Sequence, residues 1–345
     1  MRFSLNYFGM NQKQFSRREF LQILGATAVA GAAWQLGVHS WEAGLTEVSV
    51  SRVLMGTVVN LTVIGEDKAA VETAVSATFD QMSRLEALLS RHQPDSELSQ
   101  LNRNGRLANA SQSLLELIQQ AHQLSEQTNG AFDITVKPLG DLYQAYAKRG
   151  ELPSETAVAQ TLPLVNYKNI DVNGTTIQLI QPNMGITLDG IGKGYIVDAG
   201  TAVLKQHGFT NILVEAGGDL MAAGVNARQQ SWHIGLQPPR PQTETPLTRF
   251  SLRNQAAATS GDYMQPFITD LSQHHILDPR TGYSAPELAS VTVVAPTVVL
   301  ADGLATAVMA LGRLGLDLIE GTAHCEALAV AKDGGMLRTS GFGVV

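Results

Sequence analysis

Residues 186–197 read ITLDGIGKGYIV, three glycines alternating around a lysine with apolar residues on both sides. Few structures accommodate such a stretch. Gly190, Gly192 and Gly194 leave the backbone bare and open to positive φ, so a ligand or another backbone can approach closely. A helical pattern follows from Tyr195, which puts these amides at a helix start, where the dipole and the unpaired N–H groups attract anions such as phosphate. The same residues also suit a tight strand-to-helix turn carrying a solvated lysine. Neither familiar phosphate template applies. A P-loop needs Ser or Thr after the lysine, where Gly194 stands, and a dinucleotide fingerprint needs G-x-G-x-x-G in place of G-x-G-x-G.

The remaining chain mixes strand and helix patterns without strict βαβ alternation. Residues 47–64 alternate and are rich in Val and Thr, which predicts two strands meeting at Gly56. Val71, Val75, Phe79, Met82, Leu85 and Leu89 recur at helical spacing over 68–91. The stretch SRHQPDSELSQLNRNG predicts an exposed loop with a short helix, and Ser111 or Ser113 caps a helix running to Gln127. Residues 141–165, polar and interrupted by Pro153 and Pro163, predict a surface excursion. Strands are expected at 169–173 and 175–180, joined at Asn173-Gly174. A helix from Tyr195 to Gln206 ends at Gly208, and Ile212-Leu213-Val214 is a short buried strand. Residues 237–247 hold four prolines and read as a loop. Strands follow near 255–259, 291–295 and 327–331, with a helix from Asp302 to Leu311 closed by Gly312. The fold class is α+β, with mixed sheets flanked by helices.

Composition supports a folded, non-nucleic-acid-binding body. Hydrophobic residues make up 44% and charged residues 16% of 345, enough for a real core. A net charge of −7 argues against a general grip on nucleic acid. The one cysteine, Cys325, sits among apolar neighbours and reads as a buried, inert thiol.

The N-terminus carries an address. Arg17 and Arg18 precede the mild apolar run ILGATAVAGAAWQLG, which resembles a twin-arginine export signal and is too short to span a membrane. Ala28, Ala30 and Ala32 offer cleavage options, and no cysteine follows to accept a lipid. Residues 1–40 are therefore assigned as a signal segment and 41–345 as one domain without a transmembrane span. The expected location is the periplasm, or the inner membrane if the signal is retained.

Several polar clusters stand in apolar settings at expected element ends, where binding groups concentrate. They are AFD at 131–133, TLDGIGKGY at 187–195, EAGGD at 215–219, SGDY at 260–263, HHILDPRTG at 274–282 and ADGLAT at 301–306. Asp302 and Thr306 lie one helical turn apart on one face. A carboxylate and a hydroxyl so placed suit Mg²⁺, which prefers oxygen donors, although Asp302 at a helix start would equally serve as its N-cap. Adjacent His274 and His275 in a strand would face opposite ways, one toward a ligand and one toward solvent.

Taken in order, these clusters resemble the ApbE family of FAD:protein FMN transferases. The resemblance runs from about Met55 to Gly312 through MGT (55–57), SRHQPDSELSQLNR (90–103), GAFDITVKPL (130–139), GIGKGY (190–195), LVEAGGDL (213–220), ATSGDY (258–263), HHILDPRTG (274–282) and the stretch 290–312. It implies an ApbE-like fold that binds FAD and Mg²⁺, cleaves the pyrophosphate and attaches FMN to a Ser or Thr of a partner flavoprotein, releasing AMP. Met55, Ala131, Phe132, Asp133, Lys193 and Ile276 would contact FAD. So would His92, where aromatics are more usual. Gly190, through its carbonyl, with Asp302 and Thr306 would hold the metal. His275 would be the base for the incoming hydroxyl, with Lys193 assisting catalysis. Many family members carry an aspartate six residues ahead of the lysine. Here Thr187 occupies that position and the acid appears at Asp189, so either Asp189 takes over the role or Thr187 bonds the ligand without charge. The family's acceptor motif, Ser or Thr before Gly-Ala, does not occur in this chain. The implied partner is therefore a separate exported or membrane-bound electron-transfer flavoprotein. Two other readings use the same site: a Mg-dependent FAD pyrophosphatase giving FMN and AMP, and a non-catalytic exported FAD-binding accessory protein.

Overall fold

Period-two alternation of apolar residues builds a nine-stranded antiparallel sheet with both faces covered. The computed structural model describes residues 46–240 and 246–343, and the backbone alone of Arg2–Phe3, Phe15–Ser16 and Gln35–Ser40. Arg17, Arg18 and the run 23–34 lie outside the described residues, so the export signal is not addressed by it. In chain order the elements are β1 (Gln35–Ser40), β2 (Thr46–Leu54), β3 (Thr57–Gly65), α1 (Lys68–Leu89), α2 (Glu97–Asn104), β4 (Arg106–Leu107) and α3 (Gln112–Gln127). Then come α4 (Lys137–Ala147), α5 (Glu155–Thr161), β5 (Ile170–Asn173), β6 (Thr176–Leu179), α6 (Gly192–Gln206), β7 (Ile212–Ala216) and β8 (Asp219–Ala223). The remainder comprises β9 (Trp232–Leu236), β10 (Thr248–Leu252), β11 (Gln255–Gly261), β12 (Leu288–Ala295), α7 (Val298–Leu311), α8 (Gly315–Glu320), β13 (Glu326–Ala331) and β14 (Met336–Arg338).

The large sheet runs β14-β13-β12-β11-β8-β7-β3-β2-β1, all neighbours antiparallel. Val59, Leu61, Val63, Met221, Ala256, Ala258, Val291 and Val293 point to the main core, where α1, α6 and α7 pack. The intervening Leu220, Ala222, Ala257, Val294, Leu328 and Val330 point to the other face, under Trp232, Leu236, Phe250 and Leu252 of the β9–β10 ribbon. Coverage on both sides explains why β12 is buried along its whole length and reads as a nearly unbroken apolar run. For the same reason α7 is apolar nearly all round. The segment Val298–Glu320 is long and apolar enough to span a membrane, but most of it is buried within the fold.

Most expected elements form, and the differences have physical causes. Residues 141–165 are not a bare excursion: α4 and α5 close over a small core of Leu139, Tyr143, Val158 and Leu277. Its apolar anchors are too few to show as periodicity. The capping residue of α3 is Ser111, whose Oγ accepts from Leu114 N at 3.3 Å. The helix carrying Asp302 starts at Val298, so Asp302 lies inside it and does not cap it. That task falls to Asp198 of α6, whose carboxylate accepts from Val298 N at 3.0 Å and Val299 N at 2.9 Å. His274 and His275 lie in an irregular loop between β11 and β12, outside any strand.

Candidate active site

The glycine loop is held from both ends before it reaches any ligand. Asn102 of α2 donates Nδ2 to Ile186 O at 2.8 Å and accepts from Ile186 N at 2.7 Å, imitating a strand partner. Thr187 N donates to Ile134 O at 2.8 Å, tying the loop to the 131–136 turn. None of Gly190, Gly192 and Gly194 has positive φ, contrary to one expectation from the sequence. Their shared property is the missing Cβ. On Gly194 a Cβ would lie 2.6 Å from Val298 O, because the first turn of α6 abuts the start of α7. On Gly190 it would lie 3.0 Å from Thr306 Oγ1 and 3.4 Å from Phe132 Cε2. Helix packing at one glycine and closeness to the Thr306 hydroxyl at another account for the spacing.

Lys193 emerges from this loop toward the β7–β8 turn. Its Nζ lies 3.1 Å from Asp219 Oδ2 and donates to Gly217 O at 3.3 Å. Gly217 and Gly218 form the two-residue turn with φ of 55° and 99°, a conformation that favours glycine. Burial works against the charge on Lys193, but Asp219, Asp302 and Glu215 outweigh it and raise its pKa, so the side chain stays an ammonium. Asp302, buried in mid-α7, accepts from Gly194 N through Oδ2 at 3.1 Å. Burial first, and repulsion from Asp219 second, push its carboxyl well above the usual range. One turn on, Thr306 Oγ1 lies 3.2 Å from Ser260 Oγ.

This donor set fits a hard divalent cation. A buried carboxylate with a single backbone hydrogen bond, a hydroxyl and a bare glycine backbone supply oxygen only. Among the described residues no group of three His, Cys, Asp or Glu is arranged to hold a metal ion, so a nitrogen- or sulfur-rich zinc site is not built.

A second group of side chains rims the loop. Arg91 Nε contacts Asp189 at 3.0 Å to Oδ1 and 2.8 Å to Oδ2. His275 is half-buried, and its backbone N donates to Gln265 O at 3.1 Å. Burial and the neighbouring His274 lower its pKa to about 4, while Asp189 pulls the other way. Its imidazole is therefore neutral at physiological pH. His274 faces neither ligand nor solvent: it is fully buried, with Nε2 2.9 Å from Ala285 O. A carbonyl only accepts, so Nε2 carries the proton.

The other expected ligand residues fall around these two groups. Met55 sits at the β2–β3 tip with φ of 54°, its N donating to Glu86 Oε1 at 2.9 Å. Thr57, two residues on, packs against Gly217, where a Cβ would come within 2.6 Å of its hydroxyl. The tip thus adjoins the turn that receives Lys193. His92 is exposed and follows Arg91. Ala131, Phe132 and Ile276 are buried. The Asp133 carboxylate is occupied internally, accepting from Thr135 N at 2.8 Å, Thr135 Oγ1 at 2.6 Å and Tyr167 N at 2.9 Å. Thr187 Oγ1 accepts from Asp189 N at 3.3 Å, so the two candidate substitutes for the family aspartate touch one another. Glu86, Arg91, Asn102 and Asp198 carry no signal of their own in the sequence, and Asp219 stood only as the last residue of the EAGGD cluster. Asp219, Arg91 and Asn102 stood inside quoted motifs; Glu86 and Asp198 lie on helices whose spacing marks only their apolar neighbours.

Comparison with known proteins follows the same outline. The sequence profile of the ApbE family matches residues 55–329. The FAD:protein FMN transferase of Salmonella typhimurium is 30% identical over 301 residues, 83% of this chain and 86% of its own. That of Treponema pallidum is 29% identical over 297 residues, 80% of this chain and 82% of its own. The crystal structure of the ApbE protein from Thermotoga maritima aligns with a TM-score of 0.77 at 28% identity, covering 85% of this chain and 97% of that one. The flavin transferase ApbE from Vibrio cholerae aligns at 0.72 and 27% identity, covering 85% and 96%.

Proposed function

Because this chain belongs to the ApbE family, we propose that it is a Mg²⁺-dependent FAD:protein FMN transferase that modifies a Ser or Thr of a partner flavoprotein and releases AMP. The observation that carries this reading is the convergence of Asp302, Thr306, Gly190 and Lys193 on one face of the glycine loop.

Each residue has a physical role in such a reaction. The acceptor hydroxyl attacks the FMN phosphorus, an ester bond forms, and the pyrophosphate bond to AMP breaks with its electrons passing to the AMP phosphate. Phosphoryl transfer requires positioning and neutralised charge more than covalent chemistry. Lys193, kept charged by its acidic neighbours, draws the pyrophosphate to the loop. Mg²⁺ held by Asp302, Thr306 and the Gly190 carbonyl would supply Lewis-acid neutralisation of the phosphate oxygens. His275, held neutral by burial, accepts the hydroxyl proton, an assistance typically worth ~10²–10⁴-fold. Phe132 against Gly190, Met55, His92, Ala131, Ile276 and the backbone of Asp133 form the flavin side of the site, with Thr187 and Asp189 at its phosphate edge. The twin arginines at 17–18 support export to the periplasm and a partner that is itself exported or membrane-bound.

The test is an incubation of the protein with FAD, Mg²⁺ and a candidate acceptor domain, read by intact mass and AMP release. Acceptor carrying one FMN phosphoester per AMP supports the transferase. AMP and free FMN without labelling support the pyrophosphatase, and bound FAD without AMP supports the accessory protein.

A further inference from the structure

Arg91 is not among the ligand residues that the family resemblance implies, yet it pairs directly with Asp189. Asp189 stands immediately before Gly190 and is half-exposed, whereas the Arg91 side chain is only 16% exposed. The ion pair engages Nε alone. Among the described residues, neither Nη1 nor Nη2 of Arg91 donates a hydrogen bond within the chain. A guanidinium has five donors in a rigid fork, and two of its edges suit a phosphate.

Charge makes the same point. Asp189, Glu215, Asp219 and Asp302 gather at the loop, and Asp189 and Asp219 both repel the Asp302 charge. A diphosphate arriving at Gly190 would meet the Asp189 carboxylate first, and two anions at such a distance repel unless a cation intervenes. Arg91 already pairs with that carboxylate through Nε, and its Nη1 and Nη2 donate to no described residue.

We infer that Arg91 is a substrate-binding residue of this chain, anchored through Nε to Asp189 and presenting Nη1 and Nη2 to the diphosphate of FAD; the inference rests on the transferase reading above. Asp189 is then a positioning residue that aims the fork.

The test is FAD affinity in the presence of Mg²⁺, followed by flavin fluorescence, for wild type, R91A, R91K, D189N and R91A/D189N. A lost charge-assisted hydrogen bond predicts roughly ten- to hundredfold weaker binding for R91A. R91K should fall between, since it keeps the charge without the fork. D189N should bind FAD more weakly than wild type but less weakly than R91A, because its amide oxygen still accepts from Nε while the charge that aims the fork is gone. The double variant should be as weak as R91A. Equal affinity of R91A and wild type overturns the inference. So does a D189N loss as large as that of R91A, which would mean the pair only latches the loop. Failure of the wild type itself to bind FAD would bring down the transferase reading and this inference with it.

Discussion

Gly194 N donates to Asp302 Oδ2 over 3.1 Å, so the first turn of α6 is bonded directly to the middle of α7. That single bond joins the glycine loop to the helix that carries the candidate metal ligands. Among the described residues no other hydrogen bond reaches this carboxylate, and burial drives its pKa upward against the pull of that one bond.

Asp302→Asn should preserve the shape of this contact while removing the charge. The expected outcome is a loss of roughly 10²–10³ in AMP release, by the magnitude typical of removing one transition-state electrostatic contact. Thermal stability should change little or rise, since the substitution removes a buried charge. Isothermal titration with Mg²⁺ would show the accompanying loss of metal binding. Full activity in Asp302→Asn would exclude a catalytic role for the carboxylate.

Gly194→Ala and Gly192→Ala should separate packing from ligand approach. Alanine favours helix interiors by about 1 kcal/mol over glycine. At 194, however, the new methyl would sit 2.6 Å from the Val298 carbonyl, so overpacking of about 1–3 kcal/mol should win and lower Tm. At 192 the nearest contact is Leu188 Cβ at 3.3 Å, and the cost should be smaller. Thermal melts of the two variants side by side give the comparison.

Asp198→Ala removes the acceptor for both Val298 N and Val299 N. Loss of an N-cap costs about 0.5–2 kcal/mol, here toward the upper end because two amides are affected. Urea unfolding should show a lower midpoint, and His275 should titrate as in wild type.

The His275 titration has a definite sign. Burial holds the folded-state pKa near 4, below the ordinary 6.5. The unfolded chain therefore binds the proton more readily between those values, and the folded state loses this contribution as pH falls from about 6.5 toward 4. NMR titration of the imidazole should place its midpoint near pH 4 in the free protein. At saturating Mg²⁺ the acid limb of kcat/KM should follow that midpoint, and His275→Asn should abolish this limb. A midpoint near 6.5 would show that the imidazole is not desolvated.

Much of this protein was legible from its sequence because local physics writes it there. Alternating Val and Thr over 47–64 specify a hairpin, the spacing of Val71 to Leu89 specifies α1, and Ser111 announces the start of α3. The order of the glycine, acidic and histidine clusters pointed to the family before any geometry. Tertiary structure alone decided which distant groups meet. Arg91 and Asp189 are 98 residues apart, and no periodicity links them. That Asp302 lies inside its helix and does not cap it depended on Asp198 of another helix taking the cap. Whether the glycines serve φ or packing depended on where α7 lies. A side chain's type limits what it can bond, but its partner is set by the fold that brings donors and acceptors within 3 Å, and that information is not local.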